Sequence, residues 1–152
     1  MTNAAYSAHP ALAVTAEIVL PALGVMTILL PGLAWRAGRL KNPGLLWACA
    51  LASIALLYIV RAVNLKTGLS ISEWKLHFSS HTAVAISFAI TLIALRTSLL
   101  PVVAAVVAGY LWLITDLHYH EPGDLFITAA VILPLSILCH VPWWIKVRKT
   151  PV

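Results

Sequence analysis

The chain has 152 residues, of which 61% are hydrophobic and only 10% are charged, with a net charge of +5 and a mean hydropathy of +0.94. Soluble domains have roughly 45–50% apolar and about 25% charged residues. The composition therefore argues against a soluble enzyme, a disordered chain or a nucleic-acid-binding domain, and favours several transmembrane helices in one domain.

Five apolar runs each approach the ~20 residues that cross a bilayer, so each predicts a transmembrane helix. They cover residues 12–35, 45–63, 79–95, 99–117 and 124–145. The connections are short except for the polar segment 64–78, and a long loop in so small a protein is often functional. We therefore expect an all-α integral membrane bundle of five helices, with residues 1–152 forming a single domain.

The basic residues predict how the bundle is oriented in the membrane. One side carries seven of the ten, namely Arg36, Arg39, Lys41, Arg96, Lys146, Arg148 and Lys149, and the other carries Arg61, Lys66 and Lys75. Because basic residues accumulate in cytoplasmic loops, the C-terminus is expected in the cytoplasm. The segments 64–78 and 118–123 then face the exterior, which is the periplasm if the protein belongs to a bacterial inner membrane.

Titratable side chains concentrate on the expected exterior side, which receives four of the five acidic residues and five of the six histidines. Most of them lie in segments 76–83 and 116–124. Ionisable residues at membrane depth are costly and are usually functional. Histidine can also move protons or act as a nucleophile near neutral pH.

Within these segments, His120 and Asp124 are spaced so that the carboxylate, at the start of the fifth helix, reaches back to the imidazole. Such a carboxylate fixes the imidazole tautomer and stabilises the imidazolium. His81 is expected in the first turn of the third helix, after Ser79 and Ser80. These small residues leave backbone N–H groups free to bind an anion.

The two segments resemble the motifs of the type 2 phosphatidic acid phosphatase superfamily of membrane lipid phosphatases and phosphotransferases. Phe78-Ser79-Ser80-His81 is similar to its Pro-Ser-Gly-His element, and His120-Glu121-Pro122-Gly123-Asp124 is similar to its His-x3-Asp element. Their order, spacing and sidedness also match, over a stretch from about residue 61 to the end of the fifth helix.

The resemblance implies a lipid phosphate substrate in the membrane and a phosphohistidine mechanism that requires no metal or other cofactor. It assigns the nucleophile to His120, its orientation to Asp124, and protonation of the leaving alkoxide to His81. Ser79, Ser80, nearby backbone N–H groups and Lys66 would hold the phosphoryl oxygens.

The chain departs from the family in its phosphate-binding cations. The Ser-Arg pair of the family falls on Leu113 and Ile114, and the Lys-x6-Arg-Pro element has no clean match, because Glu73 stands seven residues after Lys66. The only cations expected on the exterior side are Arg61, Lys66 and Lys75. Lys66 is the first candidate because it is expected to follow the second helix, as the lysine of the family does.

Two other functions fit the same residues. A metal-dependent membrane enzyme would use His77, His81, His118, His120 and Asp124 as ligands, since imidazole and carboxylate suit zinc or iron. A catalytically inactive lipid-binding bundle would explain the missing arginine. At the level of single residues, the His120–Asp124 pair could simply brace a loop, and Arg61 could extend to the lipid headgroups.

Overall fold

The computed structural model describes residues 10–67 and 78–148, in which all the regular structure is helical. The helices are α1 (Pro10–Arg36), α2 (Pro43–Thr67), α3 (Ser80–Leu95), α4 (Leu100–Asp116) and α5 (Pro122–Arg148), with a short 3-10 turn at Thr97–Leu99 before α4. The predicted all-α bundle of five helices is confirmed.

The end of α2 differs from the prediction, because the helix continues about one turn beyond residue 63 to Thr67. No glycine or proline stands between Arg61 and Thr67, so nothing in the sequence stops the helix there. Lys66, which was expected in a loop, therefore lies in the last turn of α2.

The centre of the bundle is α3, which contacts each of the other four helices and buries ten of its sixteen residues. It is about 24 Å long, shorter than the roughly 30 Å of a hydrocarbon core. Small residues such as Ala83, Ala85 and Ala89 on α3 are buried, and small residues let neighbouring helix backbones approach closely.

The outer surface of the bundle is apolar. The other four helices are long enough to cross a membrane and contain windows with a mean hydropathy of 2.0 to 2.1. Large side chains such as Ile28, Leu51 and Trp112 are more than 60% exposed on this surface. An apolar surface of this extent fits a hydrocarbon environment, so the fold is that of a membrane bundle.

Buried hydroxyl groups connect α2, α3 and α5 in the interior. The Ser53 hydroxyl lies within hydrogen-bond distance of the Ser136 hydroxyl, at 2.8 Å, and of the Ser87 hydroxyl, at 3.1 Å. Closer to the C-terminal end of α5, the buried His140 lies 3.0 Å from the Thr91 hydroxyl and 2.8 Å from the Ser136 carbonyl oxygen. Interhelical hydrogen bonds of this kind hold membrane helices in register.

The topology separates the polar residues into two ends of the bundle. The "histidine end" comprises the end of α2, the start of α3 and the turn between α4 and α5, and it carries His81 and His120. The "basic end" comprises the end of α1, the start of α2, the junction between α3 and α4, and the end of α5.

Candidate functional site at the histidine end

The start of α3 is fixed by Ser79, the N-cap residue, which is fully buried. Its hydroxyl accepts hydrogen bonds from the Thr82 N–H at 3.3 Å and the Thr82 hydroxyl at 3.0 Å, and its own N–H donates to Thr128 Oγ1 on α5 at 2.9 Å. The Ser79 side chain therefore caps and anchors the helix. The N–H groups of Ser80 and His81, in the first turn, have no acceptor within the helix.

The turn between α4 and α5 depends on His118, which has a positive φ of 55°. The Tyr119 N–H donates to the Ile114 carbonyl and the His118 N–H to the Thr115 carbonyl, so α4 ends in a Schellman motif. The left-handed residue of that motif is usually glycine. The turn packs Tyr119 against the core and brings His120 back towards α3, while His118 is exposed.

Asp124 makes two contacts in this turn through one carboxylate oxygen. As the third residue of α5, it accepts the Glu121 N–H at 3.3 Å through Oδ2, which satisfies a donor at the start of the helix. The same oxygen lies 3.5 Å from Nδ1 of His120. Its side chain is only 6% exposed, so the carboxylate acts on His120 from inside the protein.

His81 and His120, which come from different helices, face each other with ring centroids 6.0 Å apart and planes inclined by 57°. His81 lies in the first turn of α3, outside the four candidate spans. Desolvation by burial lowers the pKa of His81, and the charges of His120 and Arg61 lower it further. The pair thus presents two imidazoles to one small volume, one of them held by a carboxylate.

A cavity of about 390 Å³ opens beside His81 between α1 and α4. Its polar lining residues are Glu17, Tyr110 and Tyr119, none of which sequence reasoning selected. Glu17 could have been selected from the sequence, because it is the only acidic residue within the first apolar run and ionisable residues in a membrane helix are usually functional. The two tyrosines could not have been selected, because the sequence does not distinguish an aromatic residue that lines a cavity from one that fills the core.

The predicted phosphate-binding cations have different positions. Arg61 is exposed near the end of α2, and its charge acts on His81. Lys66 lies one turn further along α2, and Lys75 lies outside the described residues. Leu113 and Ile114, which occupy the Ser-Arg positions of the family, are buried in the core between α1, α3 and α5.

The residues proposed as metal ligands are only partly brought together. His81, His120 and Asp124 are neighbours, whereas His118 points to the outside and His77 lies outside the described residues. Within residues 10–67 and 78–148, no three histidine, cysteine or acidic side chains form a group that could hold a metal ion.

No protein-family model, curated protein or solved structure matches the chain.

Proposed function

We propose that the protein is a membrane lipid phosphatase or phosphotransferase that works through a phosphohistidine on His120. The observation that supports this proposal is the triad of His81, His120 and Asp124 at one end of an apolar bundle. A carboxylate at Nδ1 keeps the proton on that nitrogen and leaves the Nε2 lone pair free for nucleophilic attack.

In the first step, His120 Nε2 attacks phosphorus and a P–N bond forms while the P–O bond to the lipid alkoxide breaks. His81 gives its proton to that alkoxide, which leaves as the lipid alcohol. In the second step, a water molecule attacks phosphorus and gives a proton to His81, and the P–N bond to His120 breaks as inorganic phosphate leaves. If a second alcohol replaces water, the phosphoryl group is transferred instead. The covalent intermediate divides one difficult displacement into two easier ones.

The phosphoryl charge requires fixed donors. The N–H groups of Ser80 and His81 supply two at the N-terminus of α3, where the helix dipole also favours an anion. Arg61 is exposed near the end of α2, and its charge is one of the causes that lower the pKa of His81. Because the arginine position of the family is a buried Ile114, we assign the charge of the phosphate clamp to Arg61, with Lys66 as the second contributor.

The substrate would approach from the membrane. The cavity beside His81 opens among apolar side chains of α1, such as Leu20, and its volume suits a lipid headgroup region. The excess of basic residues at the other end supports a periplasmic or exterior site in a bacterial inner membrane, with a cytoplasmic C-terminus. A reporter fused to the C-terminus that is active only in the periplasm would refute this orientation.

Phosphate release from a short-chain phosphatidic acid, measured with the purified protein in detergent, tests the proposal. We expect turnover by the parent and a loss of several orders of magnitude in His120→Ala. The matched control is His118→Ala, an exposed histidine two residues away, which should retain activity within about threefold. The proposal would be contradicted if the parent neither released phosphate from any lipid phosphate monoester nor transferred it to an added alcohol, or if His120→Ala were equally active.

A further inference from the structure

A second cavity lies at the basic end, on the opposite end of the bundle from the histidines. Its volume is about 680 Å³, and it lies between the last turns of α1 and the junction of α3 with α4. Leu30, Ala34, Leu95 and Leu99 form apolar walls that are only partly buried by the protein. Arg39 and Arg96 are the charged residues that line it, and both are exposed.

The backbone fixes the position of Arg39. Gly38 has a φ of 70°, and the N–H groups of Gly38 and Arg39 donate to the carbonyls of Trp35 and Ala34, which makes α1 end in a Schellman motif. Arg39 therefore follows the helix directly rather than extending into a free loop. Arg96 is similarly placed as the C-cap of α3, where its N–H donates to the Leu92 carbonyl.

No acidic side chain of the described residues lines the cavity beside Arg39 and Arg96. The acidic residues of the described ranges, Glu17, Asp116, Glu121 and Asp124, all lie towards the histidine end. A second copy of the chain in the same orientation would bring like charges together. An anionic ligand complements the site instead, and the apolar walls beside the arginines suit an acyl chain.

From this combination we infer a binding site for an anionic phospholipid of the leaflet at the basic end. The phosphate of the lipid binds Arg39 and Arg96 at headgroup depth, and one acyl chain lies along the groove between α1 and the α3–α4 junction. Basic clefts between transmembrane helices recognise anionic headgroups in this way. The site is separate from the proposed catalytic residues and does not depend on their chemistry.

Native mass spectrometry of the full chain in detergent, titrated with phosphatidylglycerol or with phosphatidylcholine of the same acyl chains, tests the inference. We expect phosphatidylglycerol to bind roughly tenfold to thirtyfold more tightly, from two arginine contacts. R39Q/R96Q should abolish this preference. R36Q/K41Q removes the same charge at the same end from residues that do not line the groove, and it should keep the preference.

Ala37→Phe narrows the groove without changing its charge, so it should weaken binding of both lipids.

The inference is overturned if R36Q/K41Q loses the preference for phosphatidylglycerol as fully as R39Q/R96Q, since the electrostatic attraction would then be diffuse. It is also overturned if Ala37→Phe binds both lipids normally, or if millimolar inorganic phosphate alone displaces the lipid. A dimer that Ala37→Phe removes would assign the groove to a second copy. If R39Q/R96Q does not fold, the Ala37→Phe result decides.

Discussion

At the level of single residues, Asp124 combines two contacts, because one carboxylate oxygen both caps α5 and approaches His120. The two contacts can be separated by substitution. Asparagine keeps an oxygen that can accept the Glu121 N–H but loses the charge that would stabilise a protonated His120. Alanine loses both the hydrogen bond and the charge.

We therefore predict that Asp124→Asn keeps the thermal stability of the protein but lowers kcat by roughly 10²–10⁴-fold. Asp124→Ala should lower kcat as much and also destabilise the protein by about 1 kcal/mol or more, through loss of the buried acceptor. Phosphate-release assays and thermal unfolding in detergent check both. If Asp124→Asn retains kcat within fivefold, Asp124 serves only as a structural cap.

The lowered pKa of His81 predicts a pH dependence. As the proposed general acid, His81 must carry a proton, and its pKa in the protein without ligand lies below the usual 6.5. The protonated fraction then falls as pH rises through that value, so kcat/KM should decline with rising pH from below about 6.5. A bound phosphate anion favours the imidazolium, so the decline of kcat should occur at higher pH than that of kcat/KM.

His81→Gln provides the control for this assignment. It should abolish the alkaline decline attributed to His81 and lower activity on an alkyl phosphate by roughly 10²–10⁴-fold. Its activity on p-nitrophenyl phosphate should fall much less, because nitrophenolate leaves without a proton. Equal losses on the two substrates would remove His81 from the role of general acid.

The choice of the phosphate-binding cation gives a third prediction. A charged hydrogen bond contributes roughly 1.5–3 kcal/mol, so Arg61→Gln should lower kcat/KM by about tenfold to a hundredfold. Lys66→Ala should have a smaller effect, and the exposed Arg36→Gln, at the basic end, should have none. The variants are compared on a short-chain phosphatidic acid. If Lys66→Ala is impaired while Arg61→Gln is not, the charge comes from the last turn of α2 and our assignment is wrong.

At the scale of the helices, composition and apolar run length were sufficient to predict five helices and the residue types at each end. Run length alone could not place the end of α2, because the stretch up to Thr67 is compatible with either helix or loop. The cavity with Glu17, Tyr110 and Tyr119 was also missed, since the faces of α1 and α4 that meet depend on three-dimensional packing. Likewise, no sequence pattern connects Thr128 to the start of α3.

The bond from the Ser79 N–H to Thr128 holds the start of α3 against α5 and thereby positions His81. Thr128→Val keeps the shape but leaves that buried N–H without an acceptor. We expect it to lower the free energy of unfolding by about 1–3 kcal/mol and to lower kcat. The control is Thr15→Val, at an exposed hydroxyl that bonds only within α1, which should change stability by less than about 0.5 kcal/mol. Unchanged stability and kcat in Thr128→Val would show that this bond does not position the site.

At the scale of the whole molecule, the bundle separates two kinds of chemistry along its long axis. His81, His120, Arg61 and the described carboxylates lie towards one end. The described arginines other than Arg61 lie at the other end, and a nearly continuous apolar surface lies between them. Buried hydroxyls and His140 connect α2, α3 and α5 between the ends. This arrangement places His120, His81 and Asp124, the proposed nucleophile, acid and orienting carboxylate, where a lipid headgroup can reach them. The proposed reaction then proceeds without removal of the lipid from the membrane.

The proposed mechanism requires His120 to carry the phosphoryl group during turnover. The most direct measurement is rapid alkaline quenching of the protein reacting with a lipid phosphate, followed by peptide mass spectrometry, because phosphohistidine survives alkali and hydrolyses in acid. We predict a phosphoryl group on His120 in the parent, its accumulation in a variant slowed in the second step, and its absence in His120→Ala. Turnover without a phosphoryl group on His120, or with one on His81 or His118, would contradict the account.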